Sequence, residues 1–171
     1  MNALLEKLRQ EHQIILKMFD EQVSILEIIH FVEKVHHPLE EQELFPAVAT
    51  HPLLREGGPL CTFFRGMELD LNPQEGPRQH LQKLYKEGFP KASAYASFDW
   101  LNPQNPLSLP MDEHELGHEI AEALKILVNP DVQKIYPGYF EVLKADYESL
   151  LRRHIAKEDG CLFVLCEKML S

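Results

Sequence analysis

The chain has 171 residues, with 17 Lys or Arg, 27 Asp or Glu and a net charge of −10. This balance argues against a nucleic-acid partner, because such binding depends on basic side chains that neutralise phosphates. No run approaches the roughly 18 apolar residues of a membrane span, and no signal peptide is evident, so we expect one cytoplasmic domain over residues 1–171 without a membrane partner. Cys61, Cys161 and Cys166 form no C-x-x-C pair and are expected to be buried thiols. The nine histidines are the one compositional excess.

Residues 2–49 have the pattern of two antiparallel helices. Apolar residues recur three and four apart from Leu5 onwards, and His12 lies in the middle of this stripe. The tetrapeptide Ser24-Ile25-Leu26-Glu27 is a capping-box pattern, which indicates that a second helix begins there. His12 and His36 are each twelve residues from Ser24, so an antiparallel hairpin places them side by side.

The second helix is predicted to bury one stripe, which includes His36 and Glu40. On a regular 3.6-residue period, His37 and Glu41 fall on the opposite, polar face, where we expect surface or supporting roles. Pro38 lacks a backbone N–H and is expected to kink this helix close to the polar residues.

Residues 50–110 differ in composition from the rest of the chain, because most of its glycine and proline residues lie there. We interpret this stretch as an excursion from the helical domain, with a short helix over residues 78–88. His51 and His80 have no partner at helical spacing and are expected to have surface or capping roles.

Residues 111–170 predict a second helical hairpin. Its first helix carries His114 and His118, four residues apart on the buried side, and its second helix carries His154 and Glu158 in its apolar stripe. All four long helices therefore place a histidine among apolar residues.

A repeat relates the two hairpins. Residues 36–45 and 154–163 are 118 positions apart and share the pattern H-x-x-x-E-[ED]-x-x-L-F. In an α-helix, residues four apart lie on one face about 5–6 Å from each other. Each copy therefore presents an imidazole and a carboxylate in one direction, which suits a metal ion.

The buried stripes together hold five imidazoles and two carboxylates, too many ligands for one ion. Burying so many polar groups is costly unless something pairs them, and two bound metals would. If both carboxylates and an oxygen ligand bridge the metals, a three-histidine metal has six ligands and a two-histidine metal has five. Nitrogen and oxygen ligands with an open position suit iron better than structural zinc, while manganese or a mixed pair remains open.

Four motifs carry a resemblance to a known family: L-R-x-E-H around His12, H-H-P-L-E-E-Q-E-L-F-P-A at 36–47, E-H-x-x-x-H at 113–118 and H-I-x-x-E-D-x-x-L-F at 154–163. In this order they closely resemble the hemerythrin-like (HHE cation-binding) domain. The resemblance implies an all-α, up-down four-helix bundle with a long insertion between its second and third helices. Gly57-Gly58-Pro59 departs from the family pattern, because no histidine follows it closely.

The resemblance also implies a non-haem di-iron centre, bridged by Glu40, Glu158 and an oxo or hydroxo group. It assigns one iron to His114, His118 and His154, and the iron with the vacancy to His12 and His36. Asp159 is an alternative to Glu158 as the second bridging carboxylate. We prefer Glu158, because Glu158 occupies the position in the repeat that corresponds to Glu40. His37, Glu41 and Asp159 are retained as less favoured ligands or supporting residues.

These expectations favour a binding protein for dioxygen or nitric oxide, acting in storage, delivery or sensing, because no catalytic residue is evident beyond the ligands. Iron-sulfur-cluster repair or iron donation under oxidative or nitrosative stress is an alternative. Peroxidase or oxidase chemistry at the open iron is another. The excursion over residues 50–110 is a candidate cover for the site or a homodimer contact.

Overall fold

A computed structural model describes residues 2–56, 75–101 and 106–171, which contain helices and loops and no strand. The predicted all-α class is confirmed. None of the helices in these ranges has the length and apolar character needed to cross a membrane. The helices of the described ranges are α1 (Ala3–Asp20), α2 (Ile25–Phe31), α3 (His37–Leu39), α4 (Phe45–Val48), α5 (Pro52–Glu56), α6 (Gly76–Lys86), α7 (Ser108–Leu127), α8 (Pro130–Ile135), α9 (Tyr139–Lys157) and α10 (Phe163–Met169). The same ranges also contain three π-helical turns.

The first hairpin forms as the sequence predicts. The side chain of Asn2 caps α1 by accepting hydrogen bonds from the backbone N–H groups of Leu4 and Leu5, at 2.9 and 3.3 Å. The second helix begins at Ile25, as the capping pattern indicates, although the Ser24 side chain forms no capping hydrogen bond. The antiparallel arrangement brings the rings of His12 and His36 to a centroid distance of 4.6 Å.

Residues 25–48 form one continuous helix that contains two π-helical turns, Val32–His36 and Glu40–Leu44. A proline lies two residues after each turn, at Pro38 and Pro46. Proline cannot donate the regular helical hydrogen bond and crowds the carbonyl four residues earlier. The wider i to i+5 turns therefore account for the distortion expected near Pro38, and they also change which side chains face inward.

The repeat extends to the backbone. The third π-helical turn, Glu158–Leu162, joins α9 to α10 and lies 118 positions after the turn Glu40–Leu44. The two matching sequence segments thus adopt the same uncommon conformation.

Part of the excursion is described. The predicted short helix is confirmed as α6, which packs against α7 and α9. Gly57-Gly58-Pro59 and Cys61 lie outside the described residues. Cys166 is a free, buried thiol as expected, whereas Cys161 is disulfide-bonded and corrects the expectation of a free thiol there.

The apolar core has two parts. One contains Ile15 and Val32, and the other contains Leu8 and Leu44. His12 lies between Leu8 and Ile15 along α1, so a polar layer separates the two apolar clusters.

Candidate metal centre

The polar layer consists of side chains that are almost completely removed from solvent. No member of this layer is more than 6% exposed: Glu11, His12, His36, His37, Glu40, Glu41, Glu113, His114, His154 and Glu158. Histidine and carboxylate groups are rarely buried at such density, because each loses its hydration. Their arrangement must therefore compensate for that loss.

The outer ring nitrogen of four histidines is held by a carboxylate. The Nδ1 atoms donate to Asp159 (His12, 2.8 Å), Glu11 (His36, 3.0 Å), Glu41 (His114, 2.9 Å) and Glu113 (His154, 2.9 Å). A carboxylate on the outer nitrogen fixes the tautomer and leaves the lone pair on Nε2, as is usual for metal-bound histidine. The four rings are therefore oriented with Nε2 available as a ligand atom.

Glu40 and Glu158 lie where these Nε2 atoms converge. The Oε1 atom of Glu40 is 3.2 Å from His36 Nε2, and its Oε2 atom is 3.2 Å from His114 Nε2. The Oε1 atom of Glu158 is 3.3 Å from His12 Nε2 and 3.0 Å from His154 Nε2. Each carboxylate thus contacts one histidine from each hairpin.

His114 and His154 form a contact that is unfavourable when both rings are neutral. Their Nε2 atoms are 3.2 Å apart, and each ring already donates from Nδ1 to a carboxylate. Two neutral rings of this kind would oppose their lone pairs. Protons on these nitrogens, facing Glu40 and Glu158, or a bound metal cation would relieve this opposition, and both are consistent with the negative charge of the two carboxylates.

Several buried polar atoms of the centre have no hydrogen-bond partner in the described part of the chain. They are Nε2 of His12, His36 and His37, and both side-chain oxygens of Glu40 and Glu158. Buried polar groups are normally satisfied, so buried atoms without a partner that converge on one region are suited to bind a cation there. Imidazole and carboxylate together are suitable ligands for a transition metal.

Two buried groups can hold a metal ion, and they share Glu40. One contains His37, Glu40, His114 and His154, and the other contains His12, His36, Glu40 and Glu158. Within each group, one ligand atom per residue lies within 4.8 Å of all the others. Each hairpin contributes to both groups.

The structure corrects the expectation that His37 lies on the polar face of its helix, where the sequence favours a surface or supporting role over metal ligation. His37 is only 5% exposed, and its ring stacks on His114 at a centroid distance of 3.7 Å. The π-helical turn Val32–His36 lies directly before it, and a wide turn shifts the inward direction by about one residue. Both members of the His-His pair therefore face the polar layer.

His118 belongs to neither buried group. Its Nδ1 atom donates to Glu33 at 3.0 Å, and its Nε2 atom donates to the carbonyl of Ser93 at 3.2 Å. It lies one helical turn beyond His114 on α7, near Glu122 and the partly exposed Lys125. The structure thus places His37, and not the predicted His118, in the buried group with His114 and His154, which keeps three histidines in that group.

The two less favoured carboxylates lie behind the histidines. Asp159 bonds the outer nitrogen of His12, while Glu158 faces the inner nitrogens and is fully buried. Glu41 accepts from His114 Nδ1 and from the hydroxyl of Tyr95. Glu158 is therefore better placed than Asp159 to contact a metal.

Sequence reasoning overlooked Glu11 and Glu113 as members of the site. Each directly precedes a histidine of the polar layer, and each accepts a hydrogen bond from a histidine of the neighbouring helix. The available signal was the repeated Glu-His dipeptide at residues 11–12 and 113–114.

Burial lowers the pKa of the site histidines, but the surrounding carboxylates reverse that effect for four of them, including His36. The carboxylates of Asp159, Glu158 and Glu40 raise the pKa of His12 to about 11. Carboxylates likewise raise the pKa of His114 to about 9 and that of His154 to about 10. The metal-free centre therefore holds protons where a metal would place positive charge.

His37 behaves differently. Burial, reinforced by the positive charge of His114, holds the pKa of His37 well below its ordinary value. A neutral imidazole is the form that binds a metal, so His37 is already in that form.

No protein-family model, curated protein or solved structure matches this chain. The functional interpretation therefore depends on the residues and their geometry.

Proposed function

We propose that this chain is a non-haem di-iron protein that reversibly binds dioxygen or nitric oxide for storage, delivery or sensing. The observation that carries the proposal is the pair of buried ligand groups that share Glu40. In these groups, the inward atoms of five residues have no hydrogen-bond partner among the described residues: His12, His36, His37, Glu40 and Glu158. A divalent ion in each group would compensate for the buried carboxylates and separate the facing lone pairs of His114 and His154.

The donor set supports iron. It contains imidazole and carboxylate and no thiolate, which disfavours soft metals, and it is too large for one four-coordinate structural zinc. Four long helical segments contribute the side chains, as expected for the up-down four-helix bundle of the hemerythrin-like family. That architecture and family are part of the proposal.

The two positions have unequal ligand sets. His37, His114 and His154 serve one position, and His12 and His36 serve the other. Glu40 is common to both groups, and Glu158 lies near His12 and His154, one histidine of each position. With Glu158 as a second bridging carboxylate, the two-histidine position has one protein ligand fewer and is the proposed place for a diatomic ligand. Phe163 stacks on His12 at a centroid distance of 5.1 Å, so this side of the centre is apolar and suits a small uncharged ligand.

Metal analysis and optical spectroscopy test the proposal. After iron-replete expression, the purified chain should contain about two irons, and fewer than one per chain would contradict a di-metal centre. An absorption band that forms in air and disappears under vacuum indicates reversible binding. Irreversible oxidation or iron loss would instead favour iron-sulfur-cluster repair, iron donation or peroxidase and oxidase chemistry.

Two histidine variants provide a matched comparison. His36→Gln should abolish the optical response, because His36 Nε2 faces Glu40 at 3.2 Å. His80→Gln should retain it, because His80 bonds Asp146 at 2.6 Å and belongs to neither buried group. Loss of the response only in the His80 variant would overturn the assigned site.

A further inference from the structure

The two hairpins hold their histidines with equivalent carboxylates, but the groups behind those carboxylates differ. Glu113, which orients His154, also accepts a hydrogen bond from Lys157 Nζ at 2.8 Å. The equivalent residue in the first hairpin is Glu11, which orients His36. Within the described residues, no lysine or tyrosine is hydrogen-bonded to Glu11.

The second pair of carboxylates shows the same difference. Glu41, which orients His114, accepts a hydrogen bond from the Tyr95 hydroxyl at 2.5 Å, and its backbone carbonyl accepts one from Trp100 Nε1 at 3.1 Å. The equivalent residue is Asp159, which orients His12 and whose side chain is 30% exposed. In the described ranges, neither a lysine nor a tyrosine bonds to Asp159.

The sequence repeat shows that the lysine contact is confined to one of the two hairpins. Lys157 lies 118 positions after Leu39, an apolar residue, so the ammonium group is a feature of the second hairpin alone. Lys157 is only 13% exposed at its side chain, and Glu113 is 1% exposed, so the pair is poorly screened by water. The additional donors therefore act only on the carboxylates behind His114 and His154.

A carboxylate behind a metal-bound histidine makes the ring a stronger electron donor. A second donor on that carboxylate draws charge away from the histidine and reduces this effect. We propose that Lys157 and Tyr95 are positioning residues that hold Glu113 and Glu41 and weaken divalent-metal binding at the position formed by His37, His114 and His154. This inference rests on the proposed di-metal function.

Titration of the metal-free, full-length chain with Co²⁺ tests the inference, with the d–d absorption as the readout. His37→Gln identifies the binding step of the three-histidine position, because it should weaken only that step. Lys157→Met should tighten the same step about tenfold, at the low end of what outer partners of histidine ligands contribute. Its metal-free form should unfold at a lower temperature, since Glu113 loses its ion-pair partner.

The opposite changes in affinity and stability distinguish this role from a purely structural one, which would weaken both. Tyr95→Phe should tighten the same step by a smaller factor, and it keeps the test available if Lys157→Met does not fold. Lys144→Met, at an exposed position of α9, is the matched control and should change neither step.

Unchanged or weaker affinity in Lys157→Met and Tyr95→Phe would overturn this inference alone. Binding of fewer than two Co²⁺ ions by the unaltered chain would instead contradict the proposed di-metal function.

Discussion

His37 and His114 stack nearly face to face, with ring centroids 3.7 Å apart and an angle of 12° between the planes. The two residues come from different hairpins. His37 belongs to the same buried group as His114 and His154. The neighbouring His36 belongs to the other group, so the two adjacent histidines are divided between the two groups.

Replacement of His37 should remove one metal. His37→Gln is expected to reduce the metal content from about two ions to about one per chain, because the three-histidine position loses a nitrogen ligand. His118→Gln should leave both ions in place, since His118 bonds Glu33 and Ser93. Elemental analysis of the two variants, purified together, provides the comparison. A metal loss confined to His118→Gln would support the ligand set predicted from the sequence over the one in the structure.

The two acidic residues of the second repeat should respond differently to amide substitution. Glu158→Gln is expected to impair metal retention severely, because Glu158 contacts the inner nitrogens of His12 and His154. Asp159→Asn should reduce affinity more mildly, about 10- to 100-fold, as is usual for a residue behind a histidine ligand. Competition with a chelator measures both variants, and the reverse order would favour Asp159 as the inner ligand.

Metal binding should release protons at neutral pH. The pKa values of His12, His154 and His114 are raised to about 11, 10 and 9, so these rings are protonated in the metal-free chain near pH 7. A metal requires neutral imidazole and must displace those protons. Affinity should therefore rise with pH up to about pH 11, and less steeply above about pH 9. Calorimetry in buffers of different ionisation enthalpy counts the released protons, and a heat that is independent of the buffer would contradict the protonated centre.

The metal-free chain should lose stability as the pH rises. The folded-state pKa values of these histidines exceed the ordinary value of 6.5, so their contribution is complete below about pH 6.5 and is lost between about pH 9 and 11. Burial lowers the pKa of His37 instead, so His37 contributes the opposite dependence at lower pH. Thermal unfolding of metal-free protein should thus show a lower midpoint at about pH 10 than at about pH 7. Bound metal should reduce this difference.

Removal of the Tyr147 hydroxyl should stabilise the fold. Tyr147 is 1% exposed, its hydroxyl has no hydrogen-bond partner in the described part of the chain, and burial raises its pKa well above the usual value. Tyr147→Phe removes an unsatisfied buried group and should raise the free energy of unfolding by about 1 kcal/mol. Chemical denaturation measures the change, with Tyr139→Phe at a partly buried position as the control. A loss of stability would indicate that the hydroxyl is satisfied by a bound water.

The helices, the hairpin turns and most inward-facing ligands could be predicted because a 3.6-residue period and the 118-residue repeat are strong signals. The inward direction of His37 could not be predicted, because the 3.6-residue period assumes a regular α-helix. The π-helical turns change which residues face inward. Contacts such as Tyr95 to Glu41 could not be predicted either. They join segments far apart in the chain and depend on the path of the loop rather than on any local pattern.

The repeat gives the centre an approximate two-fold symmetry. The dipeptides Glu11-His12 and Glu113-His114 correspond, as do His36 and His154 with the acidic pairs that follow them. The correspondence fails at one inward position, where His37 is matched by Ile155, which is buried in the apolar core. A fully symmetric scaffold would bury two identical sets of side chains, whereas this exchange gives one buried group three histidines and the other group two. In the proposed di-metal centre, the two ions would therefore have different numbers of nitrogen ligands although they are held by one repeated scaffold.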